Sequence, residues 1–183
     1  MLQIEPFSAD DVLVGRIAEF FALWNDMDST TANMIGKAAA LHDIGKYRIP
    51  SHILDKSGEL TPDEFKIVKT HTVWGYNTFK NLQGDFEGMA RNICMWHHEK
   101  YDNSGYWGKP YDEIPPYVPI VSICDVYVAL TSQNRQYKQA WTHRQALENI
   151  KEESGKQFCP KLVNSFLAMM AIYQDNLLQG VIL

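Results

Sequence analysis

Cysteine is scarce in this chain: Cys94, Cys124 and Cys159 are the only three among 183 residues. An odd number of widely spaced thiols, two of them in apolar helical stretches, excludes a disulfide framework and points to a reducing compartment, with the cytoplasm as the default. Positive charge is also short. Seventeen Lys and Arg against 22 Asp and Glu leave a formal net charge of −5 and a pI near 5.6. The surface as a whole therefore repels a polyanion, and double-stranded nucleic acid is not an expected partner. A phosphate-bearing ligand must find its positive charge locally, and a metal ion is the obvious source. There is no uninterrupted run of about 18 apolar residues, so no membrane-spanning helix is expected. The N-terminal stretch lacks the basic start and apolar core of a secretory signal. No repeat, low-complexity tract or Pro/Gly/Ser-rich linker interrupts the sequence, and residues 1–183 read as a single domain. Alternation with period two is missing too, so the expected fold class is all-α.

What is present is helical periodicity. From Ala9 to Trp24, residues Val14, Ile17, Phe20, Phe21 and Trp24 recur at helical spacing, with Ser8 as N-cap and Asp10 and Asp11 in the first turn. A second helix is expected from about Thr31 to Gly45, where glycine accepts a left-handed C-terminal conformation. Thr61-Pro62-Asp63-Glu64 is a capping box with proline at the first helical position, opening a helix that runs to about Leu82. Further helices are expected from Phe86 to His98, from Tyr117 to Thr131, from Thr142 to Gly155 and from Pro160 onward, the last with Leu162, Val163, Phe166, Leu167 and Met170 as its buried stripe.

Histidine carries the chemistry. Of six histidines, four lie within these helical patterns beside acids: His42 next to Asp43, His71, and the pair His97-His98, with Asp125 alone in an otherwise apolar helix. A carboxylate or imidazole on an apolar face is costly to desolvate unless paired, and one metal centre satisfies several at once. A His/Asp set without cysteine favours iron, manganese, zinc or a similar ion over calcium. Helices converging on a metal core would bring the set together. His52, in a polar loop, and His143, after the cap Thr142, are most simply solvated. Cys94 and Cys124 read as small core residues.

In sequence order the chain contains His42-Asp43-Ile44-Gly45-Lys46, Ile49-Pro50, Lys56-Ser57-Gly58-Glu59-Leu60-Thr61, His71-Thr72 with Gly75-Tyr76, His97-His98-Glu99, Asp102-Asn103-Ser104-Gly105-Tyr106, Ile114-Pro115, Asp125 and Ala129-Leu130-Thr131-Ser132. This series resembles the HD-GYP subgroup of the HD-domain metal-dependent phosphohydrolases, over about Ala38 to Leu167. The resemblance implies an HD-domain helical bundle with a metal centre in its core. It implies two divalent metal ions, iron or manganese, with Asp43 bridging them, His42 and Asp125 on one ion and His71, His97 and His98 on the other. Lys46 would face a substrate phosphate. Arg135 and Lys138 resemble part of a segment that helps to hold the ligand. The implied reaction is in-line attack of a hydroxide held between the ions on a phosphoester, with the characteristic substrate being cyclic di-GMP.

The pattern also departs from the family's. Members carry another histidine on the helix before the His-Asp pair, and this chain has none before His42. Counting back without gaps lands on Asp10; aligning on Arg16 lands on Leu13. Trp107 replaces the proline of the Gly-Tyr-Pro signature, and Asn103 replaces the glycine usual after the aspartate. Trp107 either stacks on a base or packs its own loop. Glu99 and Asp102 are either partners that orient histidines or loop acids. Two alternatives accompany the leading reading: an HD phosphohydrolase acting on another nucleotide, and a degenerate nucleotide-binding or signalling module. The expected partners are a small nucleotide substrate and a sensor or receiver domain. Five Trp and nine Tyr leave room for a homodimer interface.

Overall fold

The first helix begins where the sequence marks it: the Ser8 hydroxyl accepts the Asp11 N–H while the Asp11 carboxylate accepts the Ser8 N–H, a closed capping box. This computed structural model describes residues 8–133 and 139–178, and every element in them is helical except for one isolated bridge between Ser154 and Phe158. In chain order the α-helices are α1 (Ala9–Trp24), α2 (Ser29–Ala39), α3 (Ser51–Leu54), α4 (Pro62–Phe79), α5 (Asp85–Trp96), α6 (Tyr117–Thr131), α7 (His143–Glu152) and α8 (Pro160–Leu178). Short 3-10 helices cover Ile44–Arg48 and Tyr111–Glu113. The all-α expectation holds for the described residues. None of their helices is long and apolar enough to cross a membrane.

Helix α6 is the axis. It buries residues around most of its circumference, from Val118 through Ile120, Val121, Ile123 and Cys124 to Tyr127 and Val128, as a helix enclosed by others must. Helix α1 lays Val14, Ile17, Ala18 and Phe21 against it and against α2. Phe21 and Tyr127 both meet the ring of Phe166 on α8 edge-on, at 5.1 and 5.7 Å between centroids. Each fully buried Ile or Phe in this layer contributes on the order of 2 kcal/mol by removal from water.

The largest difference from the sequence reading lies after α2. The helix stops at Ala39 rather than near Gly45, and the chain descends through tight three-residue turns: the N–H groups of Leu41, His42 and Ile44 donate to the carbonyls of Ala38, Ala39 and Leu41. His42 and Asp43 therefore sit in a turn and not on a helix face. Gly45 fixes where that turn goes. Its α-carbon lies so close to α4 that any side chain would collide with the His71 carbonyl. Gly75, one turn further along α4, has the same role toward α5, since a β-carbon there would lie 2.8 Å from that of Cys94. Two glycines thus draw the Asp43 turn, α4 and α5 into one close-packed layer.

Candidate metal centre

Asp43 stands at the centre of the residues that the sequence singled out. Its Oδ1 lies 3.2 Å from His71 Nε2 and 3.7 Å from His97 Nε2; its Oδ2 lies 3.2 Å from His42 Nε2 and beside the Lys46 ammonium. The two oxygens thus serve two different sets of partners. Across from Asp43, Asp125 of α6 brings Oδ1 to 3.4 Å from His42 Nε2. Three overlapping groups result, each with its ligand atoms within 4.8 Å of one another: Asp43, His71, His97 and His98; His42, His97 and Asp125; and Asp11, His42 and Asp43.

The imidazoles are aimed by their own backbones. Nδ1–H of His42 donates to the Ala39 carbonyl at 2.8 Å, that of His71 to Val68 at 2.7 Å, and that of His97 to Ile93 at 2.9 Å. A carbonyl can only accept, so a proton belongs on Nδ1, and Nε2 of each ring is the atom turned toward the cluster. His71 Nε2 and His97 Nε2 then face each other at 3.4 Å. Burial, reinforced by the neighbouring His98 and His42, holds the pKa of His97 well below the usual imidazole value. Burial likewise brings that of His98 down to about 4. These rings are neutral at physiological pH. Around His42 the balance reverses: burial opposes its charge, but Asp43 and Asp125 outweigh burial and push its pKa well up.

His42 Nε2 and Asp43 Oδ1 are among the buried polar atoms without a hydrogen-bond partner. Both point into the cluster, where carboxylate oxygens and imidazole nitrogens crowd together. Such a centre costs free energy unless a cation fills it, and neutral imidazoles with ionised carboxylates are the donor set that divalent first-row metals take. This is a metal-binding His/Asp cluster suited to one or two divalent ions.

The structure brings His42, Asp43, His71, His97, His98 and Asp125 together, with Lys46 at the edge and nearly half exposed. Arg135 and Lys138 lie outside the described residues. Asp10 is elsewhere engaged: it accepts the Ser132 hydroxyl at 2.6 Å. It is Asp11, one residue on, that joins His42 and Asp43; an acid in the first turn of a helix is accounted for by the helix dipole, which masks any other role in the sequence. His143 is not simply solvated, because its Nδ1 is hydrogen-bonded to the Tyr127 hydroxyl at 2.7 Å. His52 is exposed. The buried thiols of Cys94 and Cys124 are pushed up by desolvation and remain protonated.

The loop after His98 closes one side. The Tyr106 ring lies over that of His98, 4.3 Å between centroids. Trp107 packs toward α4 through its indole N–H, which donates to Thr72 Oγ1 at 3.0 Å, and the Lys69 ammonium sits over both rings. Packing of the loop is thus what the indole N–H does here, although Trp107 keeps 43% of its surface exposed.

Residues 2–162 match the family model of the HD domain. The chain is 38% identical over 156 residues to the cyclic di-GMP phosphodiesterase response regulator RpfG of Xanthomonas campestris, covering 85% of this chain and 40% of that protein. It is 37% identical over 153 residues to the 3'3'-cGAMP-specific phosphodiesterase 2 of Vibrio cholerae, covering 83% of this chain and 28% of that protein. The chain therefore spans well under half the length of these curated relatives. Among solved structures it resembles Bd1817, an HDG"Y"P protein from Bdellovibrio bacteriovorus, with a TM-score of 0.72 at 15% identity over 90% of this chain and 52% of that one.

Proposed function

This chain belongs to the HD-domain family, in its HD-GYP subgroup, and on that premise we propose that it is a metal-dependent phosphodiesterase acting on a cyclic dinucleotide, with cyclic di-GMP as the first candidate. The observation that carries the reading is the divided carboxylate of Asp43, one oxygen toward His71 and His97 and the other toward His42. In this reading His42, Asp43 and Asp125 hold one ion, and Asp43, His71, His97 and His98 hold the other. Iron or manganese is the proposed metal, since both accept mixed imidazole and carboxylate ligands. When bound, such ions supply Lewis acidity toward phosphoryl oxygens and a nucleophile drawn from water at neutral pH.

The chain's own groups do the rest. Without an ion, the charge of His42 beside each keeps Asp43 and Asp125 ionised against burial, with Lys46 adding to the effect at Asp43; an ion held at His42 would take the place of that proton and of its charge. Lys46 is placed to meet a phosphate arriving from solvent and to offset its charge. Arg135 and Lys138 are proposed to hold the ligand further out. Tyr106 and Trp107 form the wall beside His98, where a base would lie. The proposed location is the cytoplasm, and the proposed regulatory partner is a sensor or receiver unit.

The test is metal per chain by elemental analysis on anaerobically purified protein, with the same sample given cyclic di-GMP and 3'3'-cGAMP in parallel and the products separated by chromatography. Opening of cyclic di-GMP to the linear dinucleotide is expected to be the faster reaction. Faster opening of 3'3'-cGAMP would move the substrate and keep the chemistry. Metal-loaded protein that opens neither would overturn the reading.

A further inference from the structure

We propose that Asp11 is a metal ligand, completing the half of the centre formed by His42, Asp43 and Asp125 and making it an oxygen-rich site unlike its imidazole-rich neighbour. The inference rests on the metal-dependent reading above and concerns how this chain fills a ligand position for which it has no histidine.

One carboxylate oxygen of Asp11 lies within 4.8 Å of ligand atoms of His42 and Asp43, close enough for the three to share an ion at one point. The independent sign that this point takes a ligand is the buried His42 Nε2 that aims at it without a hydrogen-bond partner. Asp11 has capacity to spare. Its Oδ2 accepts both the backbone N–H and the hydroxyl of Ser8, at 3.0 and 2.7 Å, and the carboxylate keeps further lone pairs for an ion. An ionised carboxylate has about four acceptor positions, so capping α1 and ligating a metal are compatible.

The consequence is a difference between the two halves. His71, His97 and His98 with one oxygen of Asp43 make a site of three nitrogens and one oxygen. His42 with Asp11, Asp43 and Asp125 makes one nitrogen and three oxygens. Carboxylate oxygen suits manganese and magnesium, whereas imidazole suits zinc, iron and copper. The chain is thereby built to hold two ions of unequal hardness, and its Asp11 half favours manganese.

Equilibrium dialysis of the full chain against Mn2+ tests this, with far-UV circular dichroism as a check of folding. Wild type is expected to bind two Mn2+. Asp11→Asn retains an oxygen acceptor for Ser8, so it is expected to stay folded and to hold one Mn2+ as before, with the second weakened by about 100-fold or more. Asp11→His is expected to restore the second ion but to shift its preference from Mn2+ toward Zn2+ by about tenfold or more. Asp10→Asn, whose side chain lies with Ser132, is expected to retain both ions. Two ions held with unchanged affinity by Asp11→Asn would overturn this inference and leave the proposed function standing. A wild-type chain that binds no ion would overturn both.

Discussion

Glu99 accepts the backbone N–H of Trp107 at 2.7 Å through Oε1, and its Oε2 takes the backbone N–H of Lys109 at 2.9 Å. One almost fully buried carboxylate therefore shapes the loop that stands beside His98, and it does so through the main chain. Trp107 in place of proline matters here, because proline has no N–H to give. Replacing Glu99 with alanine leaves two loop donors unpaired. A loss of about 1–3 kcal/mol in unfolding free energy is expected, measured by urea denaturation, together with a raised KM for the proposed cyclic dinucleotide substrate. Unchanged stability would show that the loop finds other acceptors.

Substitution at Lys46 separates an effect on the substrate from an effect on the metal. If its ammonium meets a phosphate, Lys46→Met should lower kcat/KM by about 100-fold while metal per chain stays at the wild-type value. A parallel loss of metal would instead assign Lys46 to the support of Asp43.

Gly45→Ala tests the close approach of the Asp43 turn to α4. The added methyl group meets the His71 carbonyl, which belongs to a hydrogen-bonded helix and cannot easily move. A destabilisation of about 1–3 kcal/mol is expected, with weaker metal binding by dialysis, because the strain falls between Asp43 and His71. An unchanged melting temperature would mean that the turn has room to retreat.

Glu64 links the start of α4 to pH. Its hydrogen bonds with Lys56, at 2.5 Å, and with the Thr61 N–H bring its pKa from 4.5 down to about 2. A carboxyl group with a lower pKa folded than unfolded stabilises the native state above the unfolded value, and the benefit is lost as pH falls through the folded one. Wild type should therefore exceed Glu64→Gln in melting temperature above pH 4.5, and the gap should close between about pH 4.5 and pH 2. A gap independent of pH over that range would remove Glu64 from the account.

Helix starts were the most legible part of the sequence. Thr61 announces a capping box and Ser8 and Thr142 read as caps, and all three close as boxes. The end of α2 was not legible, because Gly45 reads as a C-terminal residue when its real constraint is the carbonyl of a helix far along the chain. The clustered histidines and acids could be read from motif order, but not the choice between Asp10 and Asp11. Adjacent helical residues diverge by about 100°, and only the packing of α1 against α6 decides that Asp10 turns to Ser132 and Asp11 to His42. Asn103, which stands where glycine is usual, has a φ of 64°, and its side chain accepts the Tyr111 N–H at 2.8 Å. Asparagine tolerates that left-handed conformation better than most residues, so this departure preserves the turn.

The spacing of the inward-facing side chains has a mechanical meaning. Asp43, His71, His97 and Asp125 cut the chain into three successive stretches of similar length, and an ion held among them ties off each stretch as a loop. Loop closure removes freedom from the unfolded chain, at a cost that grows only slowly with loop length. In a protein whose cysteines are all free thiols, metal ions held in this way would take the part of internal cross-links, reversible ones whose strength follows the supply of ions in solution. The reach of such a clasp extends well beyond the reaction site: stripping it with a chelator should loosen α4, α5 and α6 together, and hydrogen exchange along their backbones would record the release.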